Sequence, residues 1–408
     1  MKIAIITTIG SLDDTRTGMF IRTLTEAGFE IVAITCPPRS PGYSQDGITS
    51  ISLPIISRNF WYNSSFHNIC LATLMRLRNS VIAFWASLRQ HPEVCHCQEP
   101  DSWLIGVLVK LVTGASVVVD IQEIYEERSL AFPTIFQPMV RTLIKMAMKA
   151  LSKMTDFIIH VSESRHLYYS YLSAPSVVIS HYPSLEEFRQ KECSRPPELQ
   201  GKFVLVHAGP LRLNYAAREL LLAVQQASLE VGNLLLLVIG GVAGPTHTYA
   251  SLLEKLEREG KLIILPHMSH KEVIRYLYMS DVGVSLVLPI DKIHQLAFPR
   301  KLFEYMAAGL PVIGCNVPDI ERVLRQEACG LIVDPYSPES IAKAIVTLAK
   351  DKQLRQRMAE NARQGAQRYQ WATEAPKLLQ LYSHLATEPK LRREAVKSHY
   401  PFSQNKGR

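Results

Sequence analysis

The sequence predicts an α/β protein built from two doubly wound, Rossmann-like parallel-sheet domains in tandem. Three observations carry that expectation. The chain has 408 residues, room for two cores at about 100–200 residues per domain. Short Val/Ile/Leu runs alternate with helical stretches along most of its length, as in strands covered by helices on both faces. The alternation breaks at 184–201, a polar and charged stretch with Pro196 and Pro197, and then restarts. A composition of 47% hydrophobic and 20% charged residues excludes a mainly disordered, collagenous or coiled-coil chain.

The elements follow in order. Residues 2–8 read as a buried strand. Met1–Ile6 imitates a short signal peptide, but Asp13, Asp14 and Arg16 follow at once without a small-residue cleavage site. Residues 16–27 are helical, with Gly28 as the cap, and 29–35 form a second strand. The Pro-, Gly- and Ser-rich stretch 37–62 is expected as loops with one short strand, and 63–90 as largely helix. Strand 94–97, helix 101–113, strand 116–120, helix 136–153 and strands 156–161 and 177–180 complete the first half. Its longest apolar run, Trp103 to Val119, is cut by Lys110 and Gly114, so no membrane-spanning helix is expected. After the break come strand 203–208, helix 216–229, strand 234–239, helix 248–259, strand 262–265 and helix 271–279. Strand 282–288, helix 300–308 and strands 311–315 and 330–333 follow, and 337–386 is nearly all helix. The expected domains are 1–183 and 202–370, joined by a linker at 184–201. A helix at 371–387 can cross back to the first domain, and 388–408 is a basic tail.

The net charge of +8 points to an anionic partner. Residues 388–408 hold six Lys/Arg against two Glu. Nucleic acid is not the expected partner, because aromatic and basic residues do not interleave and no docking motif is present. Residues 141–154 form a basic amphipathic helix preceded by Phe132, Ile135 and Phe136, a pattern that suits an anionic membrane surface. Seven scattered cysteines suggest buried thiols in a reducing compartment, hence a cytoplasmic protein. Cys95-His96-Cys97 looks like a metal motif, but no second ligand cluster with zinc spacing accompanies it, so no metal is expected.

The chemistry concentrates in Phe298–Ile313. Pro299 suits the first helical position, Gly309 the C-terminal cap, and Pro311 blocks continuation. The short helix begins at the carboxyl end of a strand, where free N–H groups favour an anion and Lys301 adds a full charge. Glu304, one turn in, can accept the two hydroxyls of a ribose. The same residues also fit an exposed i,i+3 pair on an ordinary helix.

Pro299, Lys301, Glu304-Tyr305-Met306-Ala307, Gly309, Pro311 and Val312 resemble the donor-binding signature of family 4 glycosyltransferases. Those enzymes have the GT-B fold, two facing Rossmann-like domains with a cleft between them. The resemblance extends to Phe203–Gly209, similar to the first strand and Gly turn of the donor domain, to Leu236–Gly241 and to Leu265-Pro266-His267. In the first half, Val94–Glu99, Val118–Tyr125 and Ile179–Pro183 are similar to the family's other motifs. The resemblance implies transfer from a nucleotide sugar, commonly a UDP-sugar, with retention and without a metal or other cofactor. It assigns leaving-group stabilisation to Lys301 and Arg212, with Gln122 and Glu123 on the catalytic side. Donor contacts fall to Glu304, Pro299, Leu302, Gly209, Gly240, Gly241, Pro266 and His267, and acceptor contacts to Gly10, Gln98 and Glu99. A glycan or lipid-linked acceptor at the inner face of a bacterial membrane, in surface-polysaccharide synthesis, is the implied setting. The chain departs from the pattern where two histidines become Gln98 and Gln122 and an acidic position becomes Leu296. These departures motivate a second reading, a catalytically silent relative that binds a nucleotide sugar or a partner protein.

Overall fold

The computed structural model describes residues 1–11, 14–37, 47–54, 66–98, 100–127, 134–189 and 193–387. The expectations for Glu99, for Phe132 and for the tail 388–408 lie outside these. The described chain divides into two compact units, Met1–Ser180 with the chain from Glu374 onward, and His181–Thr373.

In the first unit the strands are β1 (Lys2–Ser11), β2 (Glu30–Cys36), β3 (Ile48–Ser52), β4 (Val94–Cys97), β5 (Ser116–Ile121), β6 (Phe157–His160) and β7 (Ser176–Val178). They form one parallel sheet in the order β3-β2-β1-β4-β5-β6-β7. Strand order reverses between β1 and β4, and in such sheets ligands bind beyond the carboxyl ends of the strands at that point. β1 runs further than the expected 2–8, because a bulge between Ile6 and Ser11 returns Ser11 to pairing with Cys36. Helix Thr15–Glu26 is capped by the Asp14 carboxylate, which accepts from the N–H groups of Arg16 and Thr17. The last helix, Trp371–Thr387, packs into this unit from Glu374 on. Leu378 and Leu381 are buried, Tyr382 Oη lies 2.6 Å from His96 Nδ1, and Glu374 accepts from the Ser180 N–H at 2.8 Å.

The second unit holds β8 (Phe203–Ala208), β9 (Leu234–Ile239), β10 (Leu262–Leu265), β11 (Val282–Ser285), β12 (Val312–Cys315) and β13 (Gly330–Val333). Its parallel sheet is ordered β10-β9-β8-β11-β12-β13, with the reversal between β8 and β11. β11 stops at Ser285, three residues short of the expected 288.

The expectation of a linker at 184–201 is corrected. Phe188 and Leu199 are buried in the core of the second unit, and Arg195 pairs with Asp281 at 2.9 Å. Polarity and prolines marked a connection, but two buried apolar anchors make it part of the domain.

Candidate functional site

The site in the second unit is built on the reversal between β8 and β11. Helix Arg300–Ala307 follows β11 and opens at the carboxyl edge of the sheet. Pro299 occupies the N-cap rather than the first helical position, and no side chain caps the helix. The N–H groups of Arg300 and Lys301 at its start therefore lack a side-chain cap, the condition that favours an anion.

Tyr305 fixes the helix to both central strands. The Ala208 N–H donates to Tyr305 Oη at 2.8 Å, and that hydroxyl donates to the Val284 carbonyl at 3.2 Å. A side chain at Gly283 would place Cβ only 2.4 Å from the Tyr305 ring, so the glycine makes room for this cross-brace.

Lys301 is half-buried, with Nζ 5.2 Å from the centroid of the Tyr215 ring in the turn after β8. Burial lowers its pKa to about 8, against upward pulls from Cys315 and Glu304. Glu304 is buried, and both of its partners engage one oxygen. Oε1 lies 2.9 Å from His270 Nε2 and 2.8 Å from Arg300 Nε. Among the described residues no hydrogen bond falls on Oε2. Burial pushes the Glu304 carboxyl up, but the His270 hydrogen bond and the Arg300 charge outweigh it and hold the pKa below the usual value. His270 also lies 3.0 Å from Glu187 through Nδ1, and its hydrogen bonds to Glu187 and Glu304 raise its pKa to about 9.

The remaining donor-side residues sit on the same edge. Gly209 and Gly240, with φ of 115° and 125°, end β8 and β9, and a Cβ at Gly240 would lie 3.0 Å from the Gly209 backbone. The N–H groups of Gly240 and Gly241 donate to the Leu265 carbonyl at 3.0 Å, and Pro266 and His267 beyond it are exposed. Arg212 is half-buried, with a buried Nε that has no hydrogen-bond partner among the described residues. Leu302 is a correction. Its side chain is buried in the core and its N–H donates to the Pro299 carbonyl at 3.1 Å, so neither is offered to a ligand. Leu296 closes the short helix Lys292–Gln295, whose His294 bridges Asp291 (2.6 Å) and Asn214 (2.7 Å).

In the first unit the residues implied for catalysis and acceptor contact also gather at carboxyl strand ends. Gln98, after β4, accepts from Thr17 Oγ1 at 2.9 Å, while its buried Nε2 has no hydrogen-bond partner among the described residues. Gln122, after β5, donates to Asp120 at 3.1 Å, and Glu123 beside it is exposed. Gly10 is closely fitted: its N–H donates to Thr7 Oγ1 at 2.8 Å, and a Cβ would lie 2.6 Å from that oxygen.

Sequence reading missed the buried pair beneath them. Arg16 grips Asp120 with two bonds of 2.7 Å, and both side chains are buried. The pairing spans 104 residues, so nothing local signals it. His270 and Glu187 were missed for the same reason; Arg300 was missed as well, although its i,i+4 spacing before Glu304 was a local signal that could have found it. Among the described residues no three His, Cys, Asp or Glu are grouped to hold a metal ion. His96 is instead occupied by Tyr382, and burial pushes the neighbouring Cys95 thiol up to about 12.

Residues 189–365 match the family model for glycosyl transferases group 1. The matched segment lies within the second unit. Curated relatives include a D-inositol 3-phosphate glycosyltransferase of Corynebacterium glutamicum, 29% identical over 154 residues, or 37% of this chain and 35% of the relative. A phosphatidyl-myo-inositol mannosyltransferase of Mycobacterium leprae is 33% identical over 91 residues, or 22% of this chain and 24% of the relative. The chain thus matches well under half the length of these two relatives. Among solved structures, sucrose-phosphate synthase from Thermosynechococcus elongatus has a TM-score of 0.69 at 18% identity, over 95% of this chain and 99% of that one. Anabaena HepE in complex with UDP has a TM-score of 0.68 at 14% identity, over 94% and 100%. The fold is that of GT-B proteins, with two Rossmann-like domains.

Proposed function

We propose that the protein is a retaining glycosyltransferase that moves a sugar from a nucleotide diphosphate sugar, a UDP-sugar, to a glycan or lipid-linked acceptor. The setting is cytoplasmic, at the inner face of the membrane, in surface-polysaccharide synthesis. One observation carries the reading. An uncapped helix N-terminus with Lys301 is followed, one turn in, by a carboxylate whose Oε1 is held by His270 and Arg300, with no hydrogen bond among the described residues on Oε2. The match of 189–365 to the group 1 family model supports the transferase class, and UDP in the HepE structure supports the nucleotide.

In this reading the bond from the anomeric carbon to the diphosphate oxygen breaks, and a bond to the acceptor oxygen forms on the same face. The acceptor proton passes to the departing diphosphate. The protein stabilises the leaving-group charge through Lys301, Arg212 and the helix N-terminus, and it holds the reactants in line. Gly209, Gly240 and Gly241 let backbone approach the diphosphate. Pro266 and His267 lie toward the base, and Gly10, Gln98, Gln122 and Glu123 face the acceptor. The membrane contact is made by helix Gln137–Ser152.

Incubating the protein with UDP- and GDP-sugars, and following nucleoside diphosphate release, tests the proposal. Release from one donor is expected. Tight nucleotide binding without release from any donor favours the silent relative. That second reading draws on Gln98 and Gln122, whose side chains are engaged by Thr17 and Asp120.

A further inference from the structure

Three neighbouring helices of the first unit turn apolar side chains outward. Helix Phe66–Gln90 packs against Pro100–Thr113, which packs against Gln137–Ser152. In Pro100–Thr113 the exposed positions are Leu104, Leu108, Leu111 and Val112, an i, i+4, i+7, i+8 stripe without a polar member. In Gln137–Ser152, Met139, Leu143 and Met146 are each more than half exposed, while Met148 and Ser152 are buried on the opposite side. Leu77, Val81 and Trp85 continue the pattern on the first helix. An amphipathic helix covering a sheet normally buries its apolar stripe and exposes its polar one. Here large apolar side chains stand exposed on three helices that pack side by side.

The charges on this face have one sign. Among the described side chains of the three helices, the exposed charged residues are Arg78, Arg89, Lys145 and Lys149, and Lys153 follows directly. Exposed Asp or Glu is absent from them. A second copy docked through the same face would set like charges against like. An acidic lipid surface complements both the apolar area and the cations. Among the described residues no helix is long and apolar enough to cross a membrane, so the contact is interfacial.

We infer that this three-helix face seats the protein on an anionic phospholipid bilayer, with the leucine, methionine and tryptophan side chains in the headgroup boundary and the Lys and Arg residues at the phosphates. The inference deepens the membrane reading proposed above, which rested on one helix, and does not depend on the transferase chemistry.

Flotation of the full chain with vesicles tests it. Vesicles of phosphatidylcholine with phosphatidylglycerol should carry the protein upward, and phosphatidylcholine alone should carry much less. A variant with Leu111→Ser, Leu143→Ser and Met146→Ser should lose binding by about tenfold or more. Lys149→Ala with Lys153→Ala should weaken binding most at low salt. UDP binding, titrated on the same samples, confirms that the variants are folded and reports the donor site separately. Flotation without binding of either UDP or GDP would sink the transferase reading and leave the membrane face standing. Absence of flotation with anionic vesicles, or equal flotation of the serine variant, overturns the inference. So does a dimer in solution that the serine substitutions abolish.

Discussion

Lys301 has a charge state set by its surroundings. With its pKa lowered to about 8 by burial, it is largely protonated at pH 7 and largely neutral at pH 9. A bound diphosphate favours the protonated form, so binding takes up a proton as pH passes through 8. Affinity for UDP should fall between pH 7 and pH 9, by at most tenfold per pH unit for one linked proton. Lys301→Met should bind weakly and without that dependence. Calorimetric titration at the two pH values checks this, and equal affinities would remove Lys301 from the anion site. The sequence showed Lys301 and Glu304 because they share one helix. It could not show His270 and Glu187, which reach Glu304 only through the tertiary fold.

Helix Arg300–Ala307 depends on a strand residue for its position. Tyr305 braces β8 to β11 only because Gly283 leaves space beneath the ring. Gly283→Ala should force the ring aside and destabilise the protein by roughly 1–3 kcal/mol, the usual cost of overpacking. An unchanged urea midpoint would show that the brace yields freely. Most strands were legible because each is a buried Val/Ile/Leu run. Helices Glu163–Tyr168 and Pro318–Glu327 were not anticipated. The second lies between parallel strands β12 and β13, which require a crossover, so the topology demanded a helix that its polar sequence hid.

The first unit buries two histidines that the neutral form alone can satisfy. Burial lowers His96 to about 4 and His160 to about 3. In the unfolded chain both take up protons near 6.5, so their neutral forms stabilise the fold above that pH. Stability should therefore decline as pH falls from 6.5 toward 4, by up to about 1.4 kcal/mol per pH unit for each histidine. His160→Gln should flatten the decline in urea titrations across that range, and an unchanged slope would contradict it. The two-domain division was legible from the restart of the strand–helix alternation. The role of 184–201 was not, because Phe188 and Leu199 reveal themselves as anchors only once the core they enter is known.

The central claim is that the helix beginning after Pro299 binds a nucleoside diphosphate, with Glu304 Oε2 taking the ribose. Calorimetric titration of UDP and GDP into the full chain and into Glu304→Gln tests it most directly. Glutamine keeps the side chain's size but removes its charge. One of the two nucleotides should bind the full chain, and the variant should lose roughly 1–3 kcal/mol of that binding while keeping its fold. Equal affinity in a folded variant, or no binding of either nucleotide to the full chain, would contradict the account.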